Sequence, residues 1–124
     1  MIIPYFSYDD ARSAMAFLEA AFGFETLAAY DGEDGKIMHG EMKRGDACLM
    51  LGTRATDAPS PPAPAPLGVY LAVDDVDALF ARAIAAGAQE IWAPHDTEFG
   101  TRRARVKDPE GFEWSLGAYV PGGG

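Results

Sequence analysis

Few side chains in this sequence are suited to chemistry, and several of them come in spaced pairs. His39 and Glu41 are two residues apart, as are Arg103 and Arg105, and Glu113 and Ser115. Side chains alternate along an extended strand, so each pair shares one face. His39, Glu41 and Glu113 have the donor types of a metal site. His39 reads first as a hydrogen-bonded strand histidine and second as a residue that touches a ligand. The run Arg102-Arg103-Ala104-Arg105-Val106-Lys107 is the one basic cluster. It puts Arg103, Arg105 and Lys107 on one face, to hold a carboxylate or phosphate or to pair with Glu41 and Glu113.

Tyr5 and Tyr70 are 65 residues apart and occupy matching places in similar apolar runs. Such an aromatic pair suits a flat or cationic ligand, or simply fills space. Trp92 and Phe99 bracket a polar run, Ala93-Pro94-His95-Asp96-Thr97-Glu98, read as a loop that overhangs a ligand or anchors packing. Cys48 has no flanking base, which argues against a nucleophile. There is no Gly-rich phosphate loop and no serine nucleophile elbow.

These groups need strands to hold them, and the hydrophobic pattern supplies strands in duplicate. Ile2–Tyr8 and Leu67–Val73 are short apolar runs, each ended by an aspartate pair, Asp9-Asp10 and Asp74-Asp75. A helical stripe follows each pair: Ala11, Ala14, Met15, Leu18 and Phe22, then Val76, Leu79, Phe80, Ala83 and Ile84. Aspartates there cap the first helical turn, and Gly23 and Gly87 suit the stops. Three strand-like runs then follow in each half: 24–30, 36–43 and 46–52, then 89–93, 101–107 and 112–119. Asp108-Pro109-Glu110-Gly111 is the tight turn of the second set.

The offset supports a true repeat, because Asp10 and Asp75, Leu51 and Leu116, and Gly52 and Gly117 are each 65 apart. Between the halves, Ala58–Pro66 carries five of the nine prolines and reads as an extended connector. The expected fold is α+β: a βαβββ module over residues 1–52, a linker at 53–66, a second module over 67–120 and a frayed tail at 121–124. Each module is too small for a core of its own, so one structural domain is expected overall.

Composition narrows the function. The chain has 124 residues, 10 Lys and Arg against 19 Asp and Glu, and a net charge of −9. That field repels phosphate backbones and makes nucleic acid a poor partner. A single cysteine excludes an intrachain disulfide and Cys-rich zinc sites. No apolar run suits a membrane span, and no signal-peptide pattern stands at the start, so the expectation is a cytoplasmic protein with no membrane partner.

With these residues in place, the chain resembles the vicinal-oxygen-chelate superfamily of glyoxalases, bleomycin- and fosfomycin-resistance proteins and extradiol dioxygenases. The resemblance is carried by Asp9-Asp10-Ala11 to Phe22-Gly23-Phe24, by Val73-Asp74-Asp75-Val76-Asp77, by Gly87-Ala88, and above all by Gly100-Thr101-Arg102 through Val106-Lys107-Asp108-Pro109-Glu110-Gly111-Phe112-Glu113-Trp114-Ser115-Leu116. The Trp-Ser-Leu ending is similar to the PhnB-like glyoxalase branch. The resemblance implies a curved eight-stranded cup with helices outside and a cleft inside, and a homodimer. It also implies a metal ligand on the first and last strand of each module.

Aligned on the shared motifs, those ligand positions are Ile3, Met50, Gly68 and Ser115. None is a normal ligand for a hard divalent ion. The expectation is therefore a small-molecule binder without a metal cofactor, sequestering or sensing a small organic ligand, with the acidity favouring a cationic one. Tyr5, His39, Glu41, Met50, Tyr70, Trp92, Arg103, Glu113 and Ser115 are the expected ligand contacts, and no catalytic residue is assigned. The alternative is a metal-dependent lyase, isomerase or dioxygenase with a displaced site at His39, Glu41 and Glu113.

Overall fold

A computed structural model gives the structure of the chain and describes residues 1–54 and 68–121. The proline-rich connector from Ala58 to Pro66 and the end of the tail, 122–124, lie outside the described residues. The chain divides into two compact units, Met1–Ala63 and Pro64–Gly124. Among the described residues each unit has one helix and four strands, so the fold is α+β with the βαβββ order repeated.

The first unit runs β1 (Tyr5–Tyr8), α1 (Ala11–Phe22), β2 (Glu25–Asp31), β3 (Ile37–Arg44) and β4 (Ala47–Thr53). Its sheet order is β1-β4-β3-β2, with β1 parallel to β4 and the other pairs antiparallel. The second unit runs β5 (Gly68–Ala72), α2 (Val76–Ala85), β6 (Gln89–Asp96), β7 (Arg102–Lys107) and β8 (Glu113–Gly117). Its order, β5-β8-β7-β6, repeats the first.

The aspartates cap both helices. Asp10 accepts the Ser13 N–H at 3.0 Å, and Asp75 accepts the Ala78 N–H at 3.0 Å. Gly23 ends α1 at φ 76°, a left-handed conformation that favours glycine. The second helix ends differently: Ala86 closes it in right-handed geometry, and Gly87 at φ 112° only turns the chain afterwards.

Each helix covers one face of its own sheet. Ala11, Ala14, Met15, Leu18 and Phe22 are all buried, together with Phe17 and Ala21. The α2 stripe is narrower than its pattern implies: Val76, Leu79 and Ala83 are buried, but Ile84 is 38% exposed. Opposite α1, Phe6, Tyr8, Met42, Leu49 and Leu51 fill the first core; Ala104, Val106, Trp114 and Leu116 fill the second. Alternation leaves the other face of each sheet to the polar and aromatic candidates.

Two strands differ from expectation. β1 begins at Tyr5 rather than Ile2, because Pro4 has no N–H to give and contributes only its carbonyl, which accepts the Met50 N–H at 2.9 Å. β6 continues through Pro94 to Asp96 instead of ending at Ala93. It lies at the sheet edge with register shifts on either side of Trp92, and an edge with bulges tolerates proline.

The Asp108–Gly111 turn is held by its first residue. Asp108 is 4% exposed, and its Oδ1 accepts the N–H groups of Glu110 and Phe112, both at 3.0 Å. Its Oδ2 accepts the indole N–H of the fully buried Trp114 at 3.3 Å. One carboxylate thus ties the turn to the core.

Candidate functional site

In the first unit, register brings Tyr5, Met50 and Glu41 side by side across β1, β4 and β3. Glu41 lies 2.9 Å from His39 Nε2, so these two pair on the face that alternation assigns them. The His39 ring stands 6.3 Å from the rings of Tyr5 and Tyr30, stacked on the latter. Tyr30 is absent from the expected contacts. It reaches His39 because β2 and β3 pair them directly, a register that local sequence does not reveal.

The second unit is more ordered. Tyr70, Ser115, Arg105 and Trp92 form one row across all four strands. The next row joins Gly117, Arg103 and His95. The bulge beyond Trp92 keeps both Trp92 and His95 on the arginine face, where their rings meet edge-on at 6.2 Å.

The arginines use the aromatic faces. Arg103 Cζ lies 5.8 Å from the Tyr70 ring centre and 6.0 Å from that of Trp92. Arg105 Cζ lies 5.4 Å from the Trp92 ring centre. These distances are those of cation–π contacts. Two of the aromatic groups expected to meet a ligand, Tyr70 and Trp92, therefore already carry the chain's own guanidinium groups, whereas Tyr5 stands beside His39.

Arg105 also approaches Glu113, with Nε 3.0 Å from Oε1. This is a charge contact rather than an aligned hydrogen bond, since the Nε–H finds no acceptor in line. Its far end crosses β8 to Gly68, where a β-carbon would lie 2.9 Å from Nη2. Ser115, between Tyr70 and Arg105 in the sheet, is only 6% exposed and is less open than an expected ligand contact should be.

Tyr70 is fixed twice. Its hydroxyl donates to the Tyr119 carbonyl at 2.7 Å, and its ring fills the place where a side chain on Gly117 would sit. The first unit repeats this only in part: 65 residues earlier, a β-carbon on Gly52 would lie 3.1 Å from the Tyr5 hydroxyl but closer to the Met38 backbone oxygen.

Beside Tyr70 opens a pocket of about 660 Å³, lined by Tyr70, Thr97, Phe99, Thr101, Arg103 and Tyr119 among others. The β6–β7 turn forms one wall. Thr97 and Thr101 join through hydroxyls 2.8 Å apart, and the Thr97 N–H donates to the Thr101 carbonyl at 2.7 Å. Phe99 projects from this turn, 83% exposed. Of the run expected to be a loop, Ala93 to Asp96 belongs to β6 and the turn begins only at Thr97; the threonine clasp and Tyr119 carry no sequence signal of their own.

Charge at the pocket edge is partly balanced. Arg102 grips Asp77 with Nε at 2.6 Å and Nη2 at 2.9 Å, and reaches Asp96 with Nη1 at 3.0 Å. The hydrogen bond from Arg102 holds the Asp77 carboxyl below its ordinary range. Glu98 also lines the pocket and is exposed.

A family model of the glyoxalase/bleomycin resistance protein/dioxygenase superfamily matches residues 5–116. The chain belongs to that superfamily. An uncharacterized protein of Mycobacterium bovis is 36% identical over 124 residues, which cover 94% of this chain and 82% of the relative. TioX from Micromonospora sp. ML1 matches in structure with a TM-score of 0.78 and 28% identity, over 96% of this chain and 98% of that one. The fosfomycin resistance protein FosX of Mesorhizobium loti shares the fold at a TM-score of 0.71 and 15% identity, over 98% and 92% of the two chains.

The superfamily's metal-dependent members raise the question of a metal here. At the positions that the resemblance implies, Ile3 and Gly68 offer no donor, Met50 offers a thioether and Ser115 a neutral hydroxyl. The space over Gly68 is taken by the Arg105 guanidinium, itself a cation. These residues do not fit a divalent ion of the superfamily type. Among the described residues, no three His, Cys, Asp or Glu side chains group as a metal site, and His39 and Glu41 make a pair only.

Proposed function

We propose that this superfamily member binds a small organic molecule in the pocket of its second unit and does so without a metal centre. The observation that carries this reading is the Arg105 guanidinium lying over Gly68, where a ligand side chain would have to stand. It replaces a donor with a positive charge, so an incoming ion meets repulsion instead of coordination. The pocket supports the reading independently. Its volume of about 660 Å³ falls in the range of small-molecule sites, and the rings of Tyr70, Phe99 and Tyr119 line it together with polar side chains that could orient a ligand.

His95 lines the pocket with its Nδ1 facing the Ala93 carbonyl at 2.9 Å, and the Thr97 and Thr101 hydroxyls bond each other, an arrangement that fits sequestration or sensing better than turnover. The expected assembly is a homodimer in the cytoplasm, and sedimentation velocity reads the first part of that. A thermal-shift screen over aromatic acids, amines and glycopeptides tests the binding. A true ligand at about 100 times its Kd adds roughly 2.7 kcal/mol of stability. Metal analysis of protein purified without chelator tests the rest. Stoichiometric metal that disappears in His39→Ala would return the reading to a metal-dependent enzyme.

A further inference from the structure

Among the described arginines, Arg103 is distinctive. Arg12, Arg54, Arg102 and Arg105 each have a carboxylate within ion-pair distance, and Arg44 donates to the Phe22 carbonyl. Arg103 has neither kind of partner among the described residues, and its buried Nε is unsatisfied. Its guanidinium is nevertheless held in place, between the rings of Tyr70 and Trp92. It lines the pocket beside the two clasped threonine hydroxyls and the exposed Phe99 ring. A positioned, uncompensated guanidinium beside flat apolar walls matches a flat anion.

We infer that the pocket takes an aromatic carboxylate. The carboxylate meets the outer nitrogens of Arg103 end-on, since Nε is enclosed, and the ring system lies against Tyr70 and Phe99. The inference deepens the binding reading and rests on it. Of the pocket's own carboxylates, Asp96 is already engaged by Arg102, and Glu98 stands exposed on the turn. The local charge at Arg103 thus opposes the net charge of −9 that the whole chain carries.

Three probes of one shape decide the matter: 2-naphthoate, 2-naphthamide and 2-naphthylmethylammonium, titrated by calorimetry and by amide NMR of the full chain. Naphthoate should bind tightest, with shifts at Thr97–Arg103, and about 10- to 100-fold tighter than the amide, the worth of charge-assisted hydrogen bonds. Arg103→Gln should erase that advantage while changing amide binding by under about threefold. Arg103→Lys should recover only part of it.

Equal or tighter binding of the ammonium or the amide in this pocket overturns the inference and leaves the binding reading standing. If none of the three moves the pocket signals at millimolar concentration, the inference falls, and the thermal-shift screen decides the binding reading separately. Naphthoate binding untouched by Arg103→Gln also overturns the inference. Should Arg103→Gln not fold, the ranking of the three probes on the unaltered protein decides alone.

Discussion

Arg105 crosses β8 so that its Nη2 lies 2.9 Å from the point where a β-carbon on Gly68 would stand. The contact is with the end of a long side chain, which can swing away. Gly68→Ala should therefore cost little, under about 1 kcal/mol in urea unfolding, with Arg105 displaced. Arg105→Ala leaves Glu113, 40% exposed, without its partner and should cost about 1 kcal/mol. The double variant Arg105→Ala/Glu113→Gln should cost less than the sum of its parts, and strict additivity would show that the pair is not coupled.

The repeated glycines behave otherwise. A β-carbon on Gly52 meets the Met38 backbone oxygen at 2.6 Å, and one on Gly117 meets the Tyr70 ring. Both alanine variants should lose roughly 1–3 kcal/mol by denaturant titration. The rescue pattern separates them. Tyr70→Ala should relieve Gly117→Ala, whereas Tyr5→Ala should not relieve Gly52→Ala, because backbone is the obstacle there.

Asp108 holds two backbone N–H groups and an indole N–H in a nearly closed site. Asp108→Ala strands these donors and should cost about 2–4 kcal/mol. Asp108→Asn keeps a carbonyl acceptor and should cost distinctly less. Near-ultraviolet circular dichroism of Trp114 reports the change, and a loss no greater than that of an exposed carboxylate would contradict the assignment.

Much of this framework was legible from residue types. Asp10 and Asp75 cap as aspartates before apolar stripes should, and Asp108-Pro109-Glu110-Gly111 turns where proline and glycine require. Spacing of two also put His39 beside Glu41. The site was less legible, because its contacts depend on register between distant strands. A bulge in β6 lets His95 join Trp92 on one face and sets Arg103 opposite His95. No local pattern gives that shift, so the unpaired state of Arg103 and the occupied faces of Tyr70 and Trp92 were hidden. Composition is silent for a related reason: an average charge says little about a few square ångströms of sheet.

Acid should weaken the fold through two identified carboxyls. Hydrogen bonds from the Ser13 backbone and side chain hold Asp10 below its ordinary value of 3.8, and the Arg102 hydrogen bond does the same for Asp77. Folded-state values below the unfolded ones mean stabilisation that is complete above 3.8 and lost as pH falls through the folded values. Asp10→Asn keeps a capping oxygen but cannot titrate, so its stability should decline less steeply in that window. Asp10→Ala should cost about 1 kcal/mol at neutral pH. Urea midpoints across the acid range check both, and parallel curves for Asp10→Asn and the parent would refute the first.

A charge that belongs to the polypeptide has a different life from one that is borrowed. The guanidinium over Gly68 cannot dissociate, exchange for a competing ion or change its oxidation state, and chelators have nothing to remove. It is present as soon as the chain folds, with no loading step. What is fixed in return is its valence and reach: a single delocalised charge that orients and attracts, but does not activate water as a divalent ion does. The charge at this position is therefore set by translation and folding alone, whatever metals the surroundings supply.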